Sequence, residues 1–245
     1  MIEVAIAAAK AAGKLQRAAF GMEQVVNESL AHDIKLELDI KSQELIEKHI
    51  LDHFPKHAIV GEEGVNGDQE SDYKWIVDPI DGTVNFSYGI PHYCVSIALQ
   101  YKHEIMIGVV YDPQRDELFT SERGKGAYLN NVPMKTSNRG DIKDCILSLG
   151  MAKTAESIES AFTQMNFYAH RAKKLRNMGS AALDLAWIAS GRLDAYVERG
   201  VNWWDIAAGI LLIESAGGKV KIAPNSIGKG FEVIATNGSL EMAFV

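Results

Sequence analysis

The stretch WIVDPIDGTVNF, residues 75–86, places two aspartates, a proline, a glycine and a threonine directly after a strand-like apolar run. An Asp-Gly pair is a common turn, and aspartate is a common helix cap, wherever a strand ends. Taken alone, Asp81 is therefore explained as well by a turn or a cap as by a function. Its meaning depends on where acids recur along the chain.

Acidic residues recur at three predicted element ends: Glu62 and Glu63 after AIVG, Asp78 and Asp81 after KWIV, and Asp205 at the start of WDIAAGILLIESAGG. If these ends converge, carboxylates about 4 Å apart repel by about 4 kcal/mol at an effective dielectric of about 20. Such a cluster needs a cation or protons, and oxygen ligands without His or Cys favour Mg2+. Spacing alone leaves convergence open, since Asp205 also suits a plain N-cap and the two glutamates suit a solvated loop.

The DPIDGT spacing adds the other parts of a phosphate site. The proline fixes the exit from the strand, so that Asp78, Asp81 and the Ile80 carbonyl can face the same ions. Gly82 and Thr83 then open a helix or turn that offers backbone N–H groups to a phosphate oxygen. This arrangement favours hydrolysis of a phosphomonoester by a metal-activated water, and the lack of a G-x-x-x-x-G-K-[ST] loop argues against a P-loop kinase or ATPase.

The length of 245 residues and a hydrophobic share of 47% suit one large domain or two closely packed halves. No run of 18 uncharged apolar residues occurs, so we expect no transmembrane helix. Charged residues interrupt the first 20 residues and leave an apolar stripe at helical spacing, which predicts an amphipathic helix and not a signal peptide.

The two cysteines, Cys94 and Cys145, lie in apolar strand-like runs without metal-ligand spacing. We expect reduced, buried thiols, which favours a cytoplasmic protein. The net charge of −7 argues against broad nucleic-acid binding, although HRAKKLR, residues 170–176, is a local basic patch.

Periodicity predicts helices at residues 2–20, 40–54, 156–168, 180–190 and 205–215. Strands are predicted at AIVG, KWIVD, YCVSIALQY, EIMIGVVYD, ELFTSE, GAYLN, CILSLG, RLDAYVE, GKVKI and FEVIAT. The strands between 104 and 130 suggest an antiparallel meander, while the last third alternates strand with helix, so the class is α+β or mixed α/β.

The motifs GEEG, WIVDPIDGTVNF, GSAALDLAWIASGRLDAYVERG and WWDIAAGILLIESAGG together closely resemble the inositol monophosphatase family. This family lies within the superfamily of Mg2+-dependent, lithium-sensitive phosphatases, and the resemblance spans nearly the whole chain. It implies an α+β fold, a layered α-β-α-β-α sandwich. It also implies a single catalytic domain over residues 1–245, with two tightly packed halves that meet near 140–150.

The resemblance implies roles for particular residues. The implied metal ligands are Glu62, Asp78, the Ile80 carbonyl, Asp81 and Asp205, with Thr83 beside them, around two or three Mg2+ ions. Asp39 and Thr83 match the pair that orients and activates the attacking water, with Glu62 as a further catalytic residue. The implied substrate-binding residues are Asp81, Gly82, Thr83, Gly179, Ser180, Ala181, Glu198 and Asp205, with Glu198 accepting hydroxyl hydrogen bonds.

Some residues near these motifs have other interpretations. Ser180 suits a helix N-cap as well as a substrate contact. Asp184 and Asp194 are interpreted as structural.

One stretch departs from the family pattern. Relatives carry L-V-T-x-x-D before the second helix, whereas this chain has HDIKLELD, residues 32–39, with Leu36 where threonine is usual and extra charges at Lys35 and Glu37. Because Asp39 is present, activity is expected. We hypothesise that binding of a third ion is weakened or altered.

The leading function is hydrolysis of myo-inositol monophosphates or related small sugar phosphates. Fructose-1,6-bisphosphatase and histidinol-phosphate phosphatase activity remain alternatives, because residues outside the motifs decide the substrate. A non-enzymatic alternative, motivated by the basic patch, is a protein that interacts with the transcription machinery. The resemblance further implies a homodimer.

Overall fold

The computed structural model describes residues 1–30 and 33–245, so His32 of the HDIKLELD stretch lies outside the described residues. Within these ranges, the α-helices are α1 Ile2–Ala19, α2 Glu37–His53, α3 Thr83–Ser87, α4 Ala155–Ala169, α5 Ala181–Ala189 and α6 Trp203–Ser215. A short 3-10 helix spans Ile142–Asp144. The five helices predicted from periodicity are confirmed, with ends that differ by at most three residues.

The strands in the same ranges are β1 Val26–Leu30, β2 Asp33–Leu36, β3 Ala58–Gly61, β4 Gly64–Gly67, β5 Tyr73–Asp81, β6 Cys94–Tyr101, β7 Glu104–Asp112, β8 Glu117–Glu122, β9 Gly126–Leu129, β10 Val132–Pro133, β11 Ile146–Leu149, β12 Lys174–Arg176, β13 Ala195–Val201, β14 Lys219–Pro224 and β15 Phe231–Thr236. The sequence did not reveal β1, β2, β4, β10 and β12. These strands are short, at two to five residues, and β1, β4, β10 and β12 are mostly exposed, while β2 alternates polar and apolar residues over four residues only.

The described strands form two main sheets and a small β1–β2 hairpin. The first sheet has the order β10-β9-β8-β7-β6-β5-β3-β4 and is antiparallel except for the β3/β5 pair. The second has the order β12-β11-β13-β15-β14, with parallel pairs on both sides of β11. The predicted meander of β7, β8 and β9 is confirmed.

The helices and sheets stack in five layers. Helices α1 and α2 pack on the outer face of the first sheet, and α5 and α6 lie between the two sheets. Helix α4 covers the outer face of the second sheet. This is the predicted α-β-α-β-α sandwich, whereas the division into two tightly packed halves that meet near 140–150 stays a prediction.

Strand β5 runs further than its sequence suggests. The predicted strand KWIVD ends at Asp78, but β5 continues to Asp81. The pairing jumps from Asp78↔Ser96 to Asp81↔Cys94, so Pro79 and Ile80 face a single residue of β6. This β-bulge accommodates the proline, which cannot donate to a ladder, and it re-aims the side chains on either side.

Both predicted thiols are buried and free of disulfide bonds, as expected for Cys94 and Cys145. In the described ranges, no helix is both long and apolar enough to cross a membrane.

The central helix α6 lies against the first sheet at a glycine. A Cβ on Gly108 of β7 would lie 2.7 Å from the Ala208 carbonyl oxygen, which is backbone and cannot rotate away. We therefore expect Gly108→Ala to lower the free energy of unfolding by about 1–3 kcal/mol in denaturant titrations.

Gly140→Ala is the matched control. A Cβ there would meet the Ser239 carbonyl oxygen at 3.5 Å, an ordinary contact. Equal stability losses in the two variants would contradict the close packing of α6 on β7.

Candidate active site

The acids singled out in the sequence lie at the ends of elements that meet at one edge of the sandwich. Asp78 and Asp81 flank the β5 bulge, Glu62 follows β3, which pairs with β5, and Asp39 and Asp205 lie in the first turns of α2 and α6. Their charges affect one another's protonation, which shows that the side chains are close in space.

Asp78 is the centre of this electrostatic coupling. Its side chain is 1% exposed, and Oδ1 has no hydrogen-bond partner among the described residues. Burial raises the pKa of Asp78 well above its usual range, and the charges of nearby acids raise it further; these acids are Glu62, Asp81, Asp205 and Asp39. An ionised Asp78 therefore needs a nearby cation.

Asp81 caps a helix that is remote in sequence. Its Oδ2 atom accepts a hydrogen bond from the Ser180 hydroxyl at 2.6 Å and from the Ala182 N–H at 2.7 Å, at the start of α5. Burial raises the pKa of Asp81 to about 6, although these two hydrogen bonds favour the ionised form. The Ser180 side chain, 2% exposed, thus donates its hydrogen bond to Asp81 and makes no capping hydrogen bond to α5, the helix that it precedes.

Asp39 and Asp205 make equivalent contacts. Each occupies the third position of its helix and accepts a backbone N–H from the N-cap residue, at 2.8 Å from Leu36 to Asp39 and at 2.8 Å from Asn202 to Asp205. Asp205 is therefore not the N-cap that one interpretation of the sequence suggested; Asn202 is. Burial raises the pKa of Asp205, and the charges of Asp81 and Glu62 add to the effect.

Thr83 and Gly82 form the start of α3. The Thr83 hydroxyl donates to the Ile80 carbonyl oxygen at 2.8 Å, which leaves its lone pairs available as acceptors. Gly82 adopts a φ of +97°, and a Cβ there would lie 2.9 Å from the His92 carbonyl oxygen, so only glycine fits.

Asn85 ties this turn to the neighbouring loops. Its amide donates to the carbonyl oxygens of His92 and Met178, both at 2.8 Å. The sequence argument did not single out Asn85, although it lies within the stretch WIVDPIDGTVNF.

Gln43 supports the loop after β3 and was also not singled out. Its Oε1 atom accepts the Glu63 N–H at 3.0 Å, and Gly61 leaves the space for the amide, since a Cβ there would lie 2.2 Å from Oε1. In the same loop, the Lys35 Nζ atom lies 3.7 Å from Glu63 Oε2. The unusual Lys35 thus brings a positive charge to the acidic loop.

The predicted polyol-binding residues lie on the other side of Asp81. Gly179 is exposed and Ala181 is half-buried at the start of α5, while Glu198 lies on β13. The Tyr196 hydroxyl donates to Glu198 Oε2. Burial raises the pKa of Glu198 to about 7, and the charge of Asp81 contributes, so Glu198 and Asp81 share one electrostatic environment.

Two further aspartates were interpreted as structural. Asp194 is fully buried and accepts hydrogen bonds from Ser137 at 2.5 Å, Arg139 at 2.8 Å and the Ile146 N–H at 2.7 Å, so it anchors the loop before the second sheet. Asp184 accepts a hydrogen bond from Ser148 and lies 3.4 Å from the buried ring of His92. His92 is a buried polar residue that the sequence argument missed.

The donor chemistry around Asp78 fits a hard divalent cation. The ligating atoms available there are carboxylate and carbonyl oxygens, and the acids repel one another unless a cation or protons compensate. Among the described residues, no three His, Cys, Asp or Glu side chains are gathered so that they could hold an ion by themselves. Water and substrate oxygens would therefore complete the coordination, as Mg2+ commonly requires, and the ligand assignments stay predictions.

The raised pKa values predict how the metal-free protein depends on pH. A carboxyl group whose folded pKa exceeds its unfolded value of about 4 stabilises the fold below that value and loses this contribution as pH rises through the folded pKa. With Asp81 at about 6 and Glu198 at about 7, we expect the melting temperature in EDTA to fall between about pH 4 and pH 7.

Asp78→Asn removes one of the repelling charges. We expect its melting temperature in EDTA to exceed that of the wild type at pH 8, by about 2–4 °C for each kcal/mol of relief, and the difference to shrink at pH 5. Asp52→Asn, at an exposed carboxylate paired with Lys48, is the control and lacks this gain. A pH-independent difference for Asp78→Asn would contradict the coupling.

Comparison with known proteins gives consistent results. The model of the inositol monophosphatase family matches residues 1–241. The chain is 40% identical over 224 residues to Nus factor SuhB of Pasteurella multocida, covering 90% of this chain and 84% of that protein. It is 39% identical over 254 residues to inositol monophosphatase 1 of Solanum lycopersicum, covering 99% and 92%.

Solved structures agree. The crystal structure of extragenic suppressor protein suhB from Bartonella henselae matches with a TM-score of 0.89 at 34% identity, covering 97% of this chain and 94% of that one. Inositol monophosphatase from Anabaena (Nostoc) matches with a TM-score of 0.83 at 37% identity, covering 97% and 90%. Some of these relatives are thus named SuhB and others inositol monophosphatase.

Proposed function

The chain belongs to the inositol monophosphatase family, and we propose that it is a Mg2+-dependent phosphomonoesterase acting on myo-inositol monophosphates or related small sugar phosphates. Family membership supports a phosphatase in general, and the substrate is our inference. The observation that carries the proposal is the coupled set of buried carboxylates around Asp78. Without a cation, this charge distribution would destabilise the fold for no gain.

In this proposal the metal shell is formed by oxygen atoms from β5, from α6 and from the loop after β3. The residues that would hold the ions are Glu62, Asp78, the Ile80 carbonyl, Asp81 and Asp205. When bound, Mg2+ supplies a water of lowered pKa and neutralises charge on the phosphoryl oxygens. Glycine at position 82 lets the start of α3 pack against the His92 carbonyl oxygen, where a Cβ would lie 2.9 Å away.

Asp39 and Thr83 would orient the attacking water. Because the Thr83 hydroxyl already donates to the Ile80 carbonyl, its oxygen is set to accept a hydrogen bond from the water. Asp39, held at the start of α2 by its bond from the Leu36 N–H, would accept the second hydrogen bond of the water and then its proton. When both O–H groups of the water are donated to these two acceptors, a lone pair of the water oxygen is directed toward the phosphorus.

The polyol part of the substrate would lie between the start of α5 and Glu198. An ionised Glu198 accepts hydroxyl hydrogen bonds, and the exposed backbone at Gly179 and Ala181 offers further polar groups. Fructose 1,6-bisphosphate and histidinol phosphate remain alternative substrates, because the motif residues act on the phosphate and not on the rest of the ester.

The proposal predicts Mg2+-dependent phosphate release that Asp81→Asn lowers steeply, since the variant loses a ligand charge while its amide oxygen can still accept the hydrogen bonds at the start of α5. The measurement is phosphate release from inositol 1-phosphate, fructose 1,6-bisphosphate, histidinol phosphate and 3'-phosphoadenosine 5'-phosphate, each with Mg2+ and with EDTA. We expect a loss of at least about 100-fold with inositol 1-phosphate as the preferred ester.

Asp184→Asn distinguishes loss of the site from loss of a buried acid in general. It replaces a buried aspartate that contacts Ser148 and His92 and is not a proposed ligand, so we expect it to retain more activity. Turnover that is equal with Mg2+ and with EDTA would sink the proposal, and preference for the nucleotide would move the chain to another branch of the superfamily.

Lys35 supports a narrower proposal, that the third ion binds weakly. Its ammonium beside Glu63 partly compensates the acidic loop, which reduces the attraction of that loop for a cation. Lys35→Met is expected to lower the Mg2+ concentration needed for half-maximal activity by about 2- to 5-fold at low salt, where such surface pairs act most strongly. Lys41→Met, in an exposed pair with Glu37, is the control. The same Mg2+ dependence in both variants would contradict this role for Lys35.

A second candidate function comes from relatives named Nus factor SuhB. The chain could bind the transcription machinery through the basic patch, residues 170–176, where Arg171, Lys173, Lys174 and Arg176 are exposed beside the edge strand β12. Capture of RNA polymerase components by wild type and Asp81→Asn alike, but not by a Lys173→Glu/Lys174→Glu variant, would support it. Absence of partners for all three would exclude it.

The resemblance also leads us to propose inhibition by lithium, a homodimer and a cytoplasmic location. Each is tested separately. Phosphate release measured with added Li+ tests the inhibition, the mass measured by light scattering tests the homodimer, and fractionation of cells tests the location.

A further inference from the structure

Gln16 is the one polar residue on the buried face of α1 within the described chain. The other buried positions of that helix are Ala5, Ala8, Ala9, Ala12 and Gly13, and Gln16 is 0% exposed. The helical pattern alone would accept an apolar residue here. A buried amide must instead find partners or lower the stability of the fold.

The Gln16 amide group joins two elements of the proposed site. Its Nε2 atom donates to the Pro79 carbonyl oxygen at 2.7 Å and to Ser42 Oγ at 3.3 Å. Pro79 lies in the β5 bulge, and Ser42 lies one turn after Asp39 on α2. One side chain on α1 thus contacts both the bulge and the helix that carries Asp39.

The contact to Pro79 compensates the bulge. Two residues, Pro79 and Ile80, face one residue of β6, so their carbonyls need donors from outside the ladder. Gln16 supplies the donor for Pro79, and Thr83 supplies it for Ile80. The direction of the Ile80 carbonyl therefore depends on two hydrogen bonds, one from Gln16 to Pro79 and one from Thr83 to Ile80.

The other half of the Gln16 amide is unsatisfied. Its Oε1 atom is buried and has no hydrogen-bond partner among the described residues. A glutamine kept only for stability would be expected to satisfy both ends of its amide. Because the acceptor Oε1 lacks a partner among the described residues, we take the position of the Gln16 side chain to be set by the hydrogen bonds that Nε2 donates to Pro79 and Ser42.

We propose that Gln16 is a positioning residue that fixes the spacing between α2 and the β5 bulge, and with it the alignment of Asp39 and the Ile80 carbonyl toward the metal site. The inference rests on the proposed function, because it assigns the aligned atoms to Mg2+ and water. It adds a residue from α1, outside every motif of the sequence.

The test is Gln16→Met, which keeps the length of the side chain and removes the donor. Mg2+ binding is measured by titration calorimetry, and the melting temperature is measured in EDTA. We expect Mg2+ to bind about 10-fold more weakly, as is typical when a residue behind a metal ligand is lost. The Mg2+ concentration for half-maximal phosphate release is expected to rise in parallel, with less change in the KM for the ester.

Gln24→Met is the matched control. The Gln24 Nε2 atom also donates to two backbone carbonyl oxygens, those of Ala19 and Met22, both at 2.8 Å, but near the surface and away from the bulge. It is expected to bind Mg2+ as the wild type does.

Ser42→Ala is a milder second variant in case Gln16→Met fails to fold. It removes only the link from Gln16 to α2, and we expect Mg2+ binding about 2- to 3-fold weaker. A lower melting temperature with unchanged Mg2+ affinity in these variants would overturn the inference and leave Gln16 a purely structural residue. Absence of phosphate release from the wild type with Mg2+ binding intact would instead sink the proposed function alone, because the positioning role is measured by calorimetry.

Discussion

The carboxylate of Asp81 connects the two sheets of the sandwich. It lies at the end of β5 in the first sheet and accepts two hydrogen bonds at the start of α5, a helix that packs on the second sheet. A helix N-terminus carries a partial positive charge, so this cap favours the ionised acid. Burial opposes it and outweighs the two hydrogen bonds, which leaves the pKa of Asp81 raised to about 6. The contact between β5 and the start of α5 therefore depends on the protonation of a residue of the proposed site.

The same principle recurs around the edge of the sandwich. Helices α2, α5 and α6 each begin there, and each begins against an aspartate: Asp39, Asp81 and Asp205 respectively. Backbone N–H groups thus compensate part of the negative charge that burial and mutual repulsion penalise. Asp78 has no such donor at Oδ1 within the described residues, and its pKa is raised well above the usual range. Of these four aspartates, Asp78 is the one whose charge depends most on a cation.

The sequence predicted what periodicity and chemistry encode locally. Long amphipathic helices and buried strands were found because their apolar patterns repeat, and the acids were singled out because they follow such patterns directly. The bulge in β5 was missed because a proline in a sequence usually indicates the end of a strand. Here the strand continues past Pro79, whose carbonyl oxygen has a hydrogen-bond donor outside the sheet. Gln16, Gln43, Asn85 and His92 were missed because each acts on a residue far from it in sequence. Nothing local distinguishes these side chains from surface or core residues.

These missed residues share one property, which explains why the site is built as it is. They are polar groups in positions where an apolar residue would pack, and two of them, at Gln16 Oε1 and the ring of His92, lack a hydrogen-bond partner among the described residues. Stability alone would favour their replacement, since a buried polar group without a partner costs about 1–3 kcal/mol. Departures of this kind concentrate where geometry must be held for function. The turn of α2 that carries Asp39, Ser42 and Gln43 lies between the bulge and the loop after β3, so its polar contacts set the positions of both. The precision of the carboxylate cluster thus comes from neighbouring helices and not from the strand that carries Asp78 and Asp81.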